Sequence, residues 1–454
     1  MSNGISKTGL NLIPAGYKQT EVGVIPEDWK VKSIGEIASI FSGGTPNRKI
    51  PEYWDGDIPW VTTTLIDGTE IDSAREFITQ RGLENSSTNW CKAGTILLAM
   101  YGQGKTRGKA AILSIDATIN QACVAIELKD ICSSHYILHI LNSMYEEIRE
   151  LSNSGSQENL SAGIIKSIQI PFPPKKEQIT IANALSDVDL LISELEKLIA
   201  KKQAIKTATM QQLLTGHTRL PQFALREDGS KKGTKQSELG EIPEDWEILA
   251  MGDLGSTYGG LSGKSKQDFG HGNSLYVPFT NVMANVVVDI DNLEKVDVRE
   301  TQNNLALGDL LFNGSSETPE EVCFSALVSA DISKLYLNSF CFGFRSNQKN
   351  AYLPLYLAYW FRSEVGRAAV LVMAQGSTRY NISKSQFMKL PIVLPDTEEQ
   401  TAIATILSDM DEDIQALEQR LSKTRQIKQG MMQELLTGKT RLVQPSPTDV
   451  CHVD

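Results

Sequence analysis

The sequence has few of the residues and patterns with which small secreted proteins staple themselves and metalloproteins hold metal. Its six cysteines (Cys91, Cys123, Cys132, Cys323, Cys341 and Cys451) form no C-x-x-C pair and only five histidines accompany them. Free thiols are therefore expected, rather than a disulfide framework or a structural zinc. No run of about 18 apolar residues occurs, and Met1 to Leu10 (MSNGISKTGL) has no apolar signal core. A cytoplasmic chain without a membrane segment is the expectation. Positive charge is also scarce: 44 Lys and Arg face 55 Asp and Glu, a net charge of -11. The field of the whole chain repels polyanions, so any nucleic-acid binding must come from local basic loops. What is present is ordinary globular material, 454 residues of which 41% are apolar and 22% charged, enough for about three domains.

The chain is written twice. Lys18 to Trp29 (KQTEVGVIPEDW) returns as Lys235 to Trp246 (KQSELGEIPEDW), 217 residues later. Glu177-Gln178 and Leu185 to Asp189 (LSDVD) return as Glu399-Gln400 and Leu407 to Asp411 (LSDMD), and Gln211 to Leu220 (QQLLTGHTRL) returns as Gln433 to Leu442 (QELLTGKTRL), an offset of 222. A period of about half the chain is far too long for a solenoid unit, so a whole domain with its appendage is duplicated and the molecule is pseudo-two-fold. The middles diverge. Tyr101 to Lys109 (YGQGKTRGK) has no counterpart around Asn313 to Thr318 (NGSSET), although Asn120 to Ile126 (NQACVAI) echoes Asn338 to Phe344 (NSFCFGF). One scaffold presenting two different surfaces would look like this.

Short apolar runs broken by Gly or Asp, such as Ile58 to Thr62, Thr95 to Met100 and Ala122 to Ile126, read as strands. Tyr136 to Leu151 and Leu355 to Leu371 have helical rhythm, which makes each half a mixed α/β domain. Pro-rich segments (Ile170 to Pro174, Leu390 to Pro395) are expected to stop regular structure and to set the entry to a long helical segment. Lys175 to Thr215 then lacks Pro and Gly and places Ile181, Leu185, Val188, Ile192, Leu195 and Ile199 at 4-3-4-3-4 spacing; the second copy places Ile403, Leu407, Met410, Ile414, Leu417 and Leu421 likewise. This is the seam of a coiled coil. A helix of that size is about 60 Å long and cannot bury its stripe alone.

Charge sets the direction. Asp187, Asp189, Glu194 and Glu196 precede Lys197, Lys201, Lys202 and Lys206, while Asp409, Asp411, Glu412, Asp413 and Glu418 precede Arg420, Lys423, Arg425 and Lys428. An antiparallel pair sets acid against base; a parallel pair would set acid against acid. The expected architecture is two similar globular domains separated by an antiparallel coiled coil that acts as a spacer. Its boundaries are an arm (1–22), a first domain (23–173), a first spacer helix (174–216), a linker (217–239), a second domain (240–395), a second spacer helix (396–438) and a tail (439–454).

The order of these features, with Ser42 to Pro46 (SGGTP), Gly155 to Ser161 (GSQENLS) and Pro171 to Gln178 (PFPPKKEQ), resembles the specificity subunit of type I restriction-modification systems, over about residues 18 to 442. The resemblance implies that each globular unit is a target-recognition domain reading one half of a bipartite, asymmetric double-stranded DNA site. It also implies that the paired helices space those domains and dock two methyltransferase subunits. Methylation and cleavage then belong to methyltransferase and restriction/translocase partners, and the subunit itself is non-catalytic, without a cofactor. One departure is that Gly43 to Pro46 (GGTP) becomes Gly260 to Gly263 (GLSG).

Other chemistry finds less support. Gly104-Lys105-Thr106 and Gly263-Lys264-Ser265 resemble P-loop ends, but the leading glycine is replaced by Ala99 or Tyr258. Asp116, Glu127 and Lys129 have a nuclease-like order, but Ile115 precedes Asp116 and the match to Glu127 is Arg345; surface charges explain them. His135 and His139 lie one helical turn apart, and Tyr136 stands where a zincin has Glu. Trp29 and Trp246 read as core anchors. For DNA, Tyr101 to Ala110 offers Gln103, Lys105, Arg107 and Lys109 without an acid. The second half offers Lys264 and Lys266, and then Arg379, Tyr380 and Lys384. Glycine lets backbone approach phosphate, Lys and Arg neutralise it, and Gln or Arg can bond base edges. Helix pairing is assigned to Leu185, Val188, Ile192, Leu195, Ile199, Leu407, Met410, Ile414, Leu417 and Leu421.

Overall fold

The structure, a computed structural model, describes residues 13–67, 69–102, 105–151, 159–347, 352–374, 376 and 380–443. The chain divides into two units, residues 1–196 with 420–454 and residues 197–419. Each holds one globular domain, the start of that half's long helix and the end of the other half's.

In the first unit a five-stranded sheet runs in the order Ala38–Ser42, Cys123–Leu128, Ile96–Ala99, Ala110–Leu113, Glu70–Ile71. Its side chains alternate between two cores. Ile96, Leu98, Ile112, Val124 and Ile126 face the helices, and Leu97, Ala99, Ala111, Leu113 and Ala125 face the second sheet. A sheet covered on both sides needs apolar residues at consecutive positions, which is why these strands read as unbroken apolar runs. The second sheet is four-stranded, in the order Glu76–Ile78, Trp54–Val61, Ala117–Ile119, Trp90–Cys91.

The second unit repeats this frame. Gly255–Gly259, Cys341–Ser346, Leu310–Asn313 and Ser325–Leu327 form one sheet, and Glu294–Val296, Phe269–Val277 and Leu335–Leu337 the other. Leu310, Phe312, Phe342 and Phe344 face the helices, while Leu311, Ala326 and Cys341 face the smaller sheet.

Two local expectations need correction. The Pro-rich segments are strands: Gln169–Phe172 pairs antiparallel with Lys30–Ser33, and Pro391–Leu394 with Glu247–Ala250. Each pair is a two-stranded ribbon whose strands keep a free edge, where proline is tolerated. The helical rhythm after each sheet is also two helices rather than one, Ser134–Ser143 with Tyr145–Glu150 and Pro354–Arg362 with Glu364–Leu371. In the second unit Ser363 leaves the helical region (ψ 164°) and its hydroxyl accepts from Gly366 N, starting the next helix.

The long helices are Lys175–Leu213 and Thr397–Leu435, 39 residues each. They run antiparallel in both units. In the first, Asp189 meets Lys428 while Glu196 meets Arg425; in the second, Lys202 meets Asp413 while Lys206 meets Asp411. Leu185, Leu195, Ile199, Leu407 and Ile414 are buried, and Val188, Ile192, Met410, Leu417 and Leu421 are half-buried. Lys206 and Lys428 continue the heptad count and replace apolar residues by ion pairs with acids of the partner helix. Among the described residues no helix is long and apolar enough to cross a membrane.

Candidate nucleic-acid interface

The motifs repeated in both halves are joints of the scaffold. Trp29 is fully buried and its indole N–H donates to Glu177 Oε2 at 3.0 Å. Arg441, just past the end of the second long helix, donates to Glu177 Oε2 at 2.8 Å and to both oxygens of Asp28 at 2.9 Å. The second unit repeats the constellation: the Trp246 indole donates to Glu399 at 3.0 Å, and Arg219 donates to Glu399 at 2.7 Å and to Asp245 at 2.8 Å. Burial alone would raise the Asp245 pKa, but hydrogen bonds from Arg219 and Lys232 outweigh it and hold that carboxyl at about 2. The neighbouring glutamine ties the helix start to the domain. Gln178 accepts from Ser133 N and donates to Pro173 O, both at 2.9 Å, and Gln400 accepts from Leu353 N at 2.7 Å and donates to Pro395 O at 2.8 Å. The tryptophans and both Glu-Gln pairs are thus turned inward.

The divergent segments gather at one end of the larger sheet. In the first unit Met100 N donates to Ala122 O at 2.9 Å, which sets the loop after Ile96–Ala99 beside the turn before Cys123–Leu128. Lys105 is exposed and its carbonyl accepts from the Tyr145 hydroxyl at 2.6 Å, anchoring the basic loop to the helix behind it. Arg107 is half-buried, and Lys109 is ion-paired with Asp67. Gln103 lies outside the described residues. Beside this loop, Gly43 to Ile50 is fastened by Trp60 N–H to Gly44 O at 3.0 Å and Trp54 N–H to Asn47 O at 3.3 Å, and it exposes Asn47, Arg48 and Lys49. Sequence reasoning passed over these three. The run of Asn, Arg and Lys directly after SGGTP was the available signal.

In the second unit Gly314 N donates to Phe340 O at 3.0 Å, the equivalent contact. Tyr380 pairs with Ser316 across a short antiparallel bridge, and exposed Lys384 opens the helix Lys384–Phe387 under the Ser383 cap. Lys266 is exposed. Lys264 is not: its side chain is 6% exposed, held by Glu300 at 2.7 Å and by Asp297 O at 2.7 Å. It acts as a loop brace. Arg379 lies outside the described residues.

The rival sites come apart in three dimensions. Asp116 is taken by Lys92 at 2.9 Å and by Ala93 N at 2.9 Å, and Arg345, matching Glu127, is clamped on Asp309 at 2.6 and 2.8 Å. His139 is buried against Ser186 (3.3 Å) and Asp189 (4.0 Å), whereas His135 is half-exposed beside Glu70 at 3.6 Å. Burial pushes the His139 pKa down to about 4, and nearby Asp189 only partly offsets this.

A family model for the type I restriction modification DNA specificity domain matches residues 26–207 and again 243–428. The chain belongs to this family. The MjaIX specificity subunit of Methanocaldococcus jannaschii is 29% identical over 273 residues, 59% of this chain and 60% of that protein. The MjaVIII specificity subunit of the same organism is 26% identical over 437 residues, covering 92% of this chain and 94% of that protein. The crystal structure of the S subunit from M. genitalium shares the fold, with a TM-score of 0.55 at 13% identity over 90% of this chain and 96% of that one. As a specificity subunit, the chain is the non-catalytic, DNA-recognising member of its system.

Proposed function

We propose that each half of this specificity subunit reads one half of a bipartite, asymmetric double-stranded DNA site through the loops at the end of its larger sheet. What supports this is the contrast between halves: frame and joints repeat, and the segments at the sheet ends do not. In the first half the reading surface comprises Lys105, Arg107, Lys109 and the neighbouring Gln103, with Asn47 to Lys49 beside them. In the second it comprises Lys266, Tyr380 and Lys384, with Arg379 between the described segments and Lys264 bracing the loop from inside. Lys and Arg neutralise phosphate at these loops against a net charge of -11 for the whole chain.

The paired helices set the spacing of the half-sites and dock two methyltransferase subunits; methylation and cleavage reside in methyltransferase and restriction/translocase partners. The complex works in the cytoplasm, where its DNA is. Co-expression with its methyltransferase and mapping of methylated adenines tests the reading. A split motif of two short half-sites with an uncontacted spacer is expected, and methylation at one contiguous motif, or without sequence preference, would overturn it.

A further inference from the structure

One turn at the reading end is built twice on the same plan. In the first unit Cys123 N donates to Asn120 O at 3.1 Å, and the Asn120 side chain accepts from Ala122 N at 3.2 Å and Cys123 N at 3.1 Å. In the second, Cys341 N donates to Asn338 O at 3.1 Å and the Asn338 side chain accepts from Phe340 N at 2.9 Å. A glycine lies against each turn with matching contacts: Gly43 N to Cys123 O and Gly260 N to Cys341 O, both 3.3 Å. A methyl group on Gly43 would sit 2.1 Å from Ile119 O, and one on Gly260 2.1 Å from Asn338 O. Only glycine lets the two segments approach so closely, which accounts for its place in both copies.

The two residues at the centre of this frame are not repeated. They are Gln121-Ala122 in one half and Ser339-Phe340 in the other. Gln121 is exposed and its Oε1 accepts from the Thr45 hydroxyl, which directs its amide N–H groups away from Thr45. Phe340 is 57% exposed at the equivalent turn. A rigid frame that shows a fixed amide donor in one half and an apolar ring in the other is the arrangement that reading two different base pairs requires.

We propose that these central residues determine specificity: Gln121 donates to a purine acceptor, N7 or guanine O6, in the first half-site, and Phe340 packs on a thymine methyl in the second. Amide-to-purine bonding and apolar contact with the thymine methyl are the base-edge interactions these side chains offer. The assignment rests on the DNA-reading role proposed for these loops.

The test uses the specificity subunit in complex with its methyltransferase and duplexes carrying the mapped motif. Replacing each thymine of the second half-site by dU should weaken binding about fourfold at one position, the worth of one buried methyl, and Phe340→Ala should abolish that response while Phe340→Leu keeps part of it. Replacing each first-half purine by its 7-deaza analogue, or guanine by 2-aminopurine to remove O6, should weaken binding about tenfold at one position, and Gln121→Ala should remove this effect without altering the second half-site. If the wild-type complex tolerates every dU, the Phe340 assignment fails, and if it tolerates every purine substitution, the Gln121 assignment fails; neither measurement depends on a variant folding. A wild-type complex indifferent to sequence would instead overturn the DNA-reading role itself.

Discussion

Arg441 and Glu177 stand 264 positions apart and meet at 2.8 Å, so the end of the second repeat is fastened to the first. Arg219 and Glu399 make the same contact at 2.7 Å across 180 positions. Each globular domain is therefore closed by an arginine that the other repeat supplies. Glu177 is 2% exposed and Glu399 1%. Removing one partner of a buried pair strands the other, a loss of about 3 kcal/mol. Arg441→Ala should lower the free energy of unfolding in denaturant by that amount, and adding Glu177→Gln, which keeps an acceptor for the Trp29 indole, should recover part of it. Equal stability of Arg441→Ala and wild type would mean that the clamp contributes nothing.

The sequence and the fold agree where a signal is local or periodic. The 4-3 spacing announces both long helices, and the acid-then-base order announces their direction because Asp189 with Lys428 and Asp411 with Lys206 need it. The joints were illegible for a physical reason: Ile-Pro-Glu-Asp-Trp and Thr-Gly-x-Thr-Arg recur, but nothing in either motif says that each joins the opposite copy. Lys264 shows the same limit at the proposed reading surface. Its loop looks basic in sequence, and only the fold shows that Glu300 and Asp297 O hold the ammonium.

The glycine of Thr-Gly-x-Thr-Arg gives a sharper test of the joint. Gly438 has φ +71°, and a methyl there would lie 2.6 Å from Pro26 Cγ and Cδ; Gly23 has φ +101° with nothing within 4 Å. Alanine at either site meets left-handed strain of about 1 kcal/mol, but only Gly438→Ala also pushes the proline away. Thermal unfolding should therefore show a clearly larger loss for Gly438→Ala than for Gly23→Ala. Equal losses would mean that the tail does not seat on the Pro26 and Trp29 turn.

The basic residues separate by what their charges already face. Lys105→Ala should weaken duplex binding and shallow its salt dependence by about one counterion at unchanged thermal stability, and adding Arg107→Ala should shallow the slope further. Lys264→Ala should do the reverse, lowering stability and leaving the slope alone. A salt titration of binding, run beside melting curves, distinguishes them; an unchanged slope in the double variant would remove that loop from the interface.

His139 and Tyr359 occupy equivalent places on the helices packed against the long pair, but their partners are satisfied unequally. The Tyr359 hydroxyl donates to Asp411 Oδ2 at 2.7 Å, whereas His139 Nδ1 stops 4.0 Å from Asp189 Oδ2, which is buried without a hydrogen-bond partner among the described residues. Burial lowers the His139 pKa from 6.5 to about 4, Asp189 raising it and Lys428 and His135 adding to the fall. Between these pH values the unfolded chain binds a proton that the fold refuses, so stability declines as pH drops from about 6.5 towards about 4, by about 3 kcal/mol at most. His139→Tyr removes the titrating group and brings a hydroxyl to Asp189, as in the second unit. Unfolding in denaturant at pH 7 and pH 4.5 should show the variant losing about 2 kcal/mol less than wild type over that interval; identical losses would mean that His139 already accepts its proton in the folded protein.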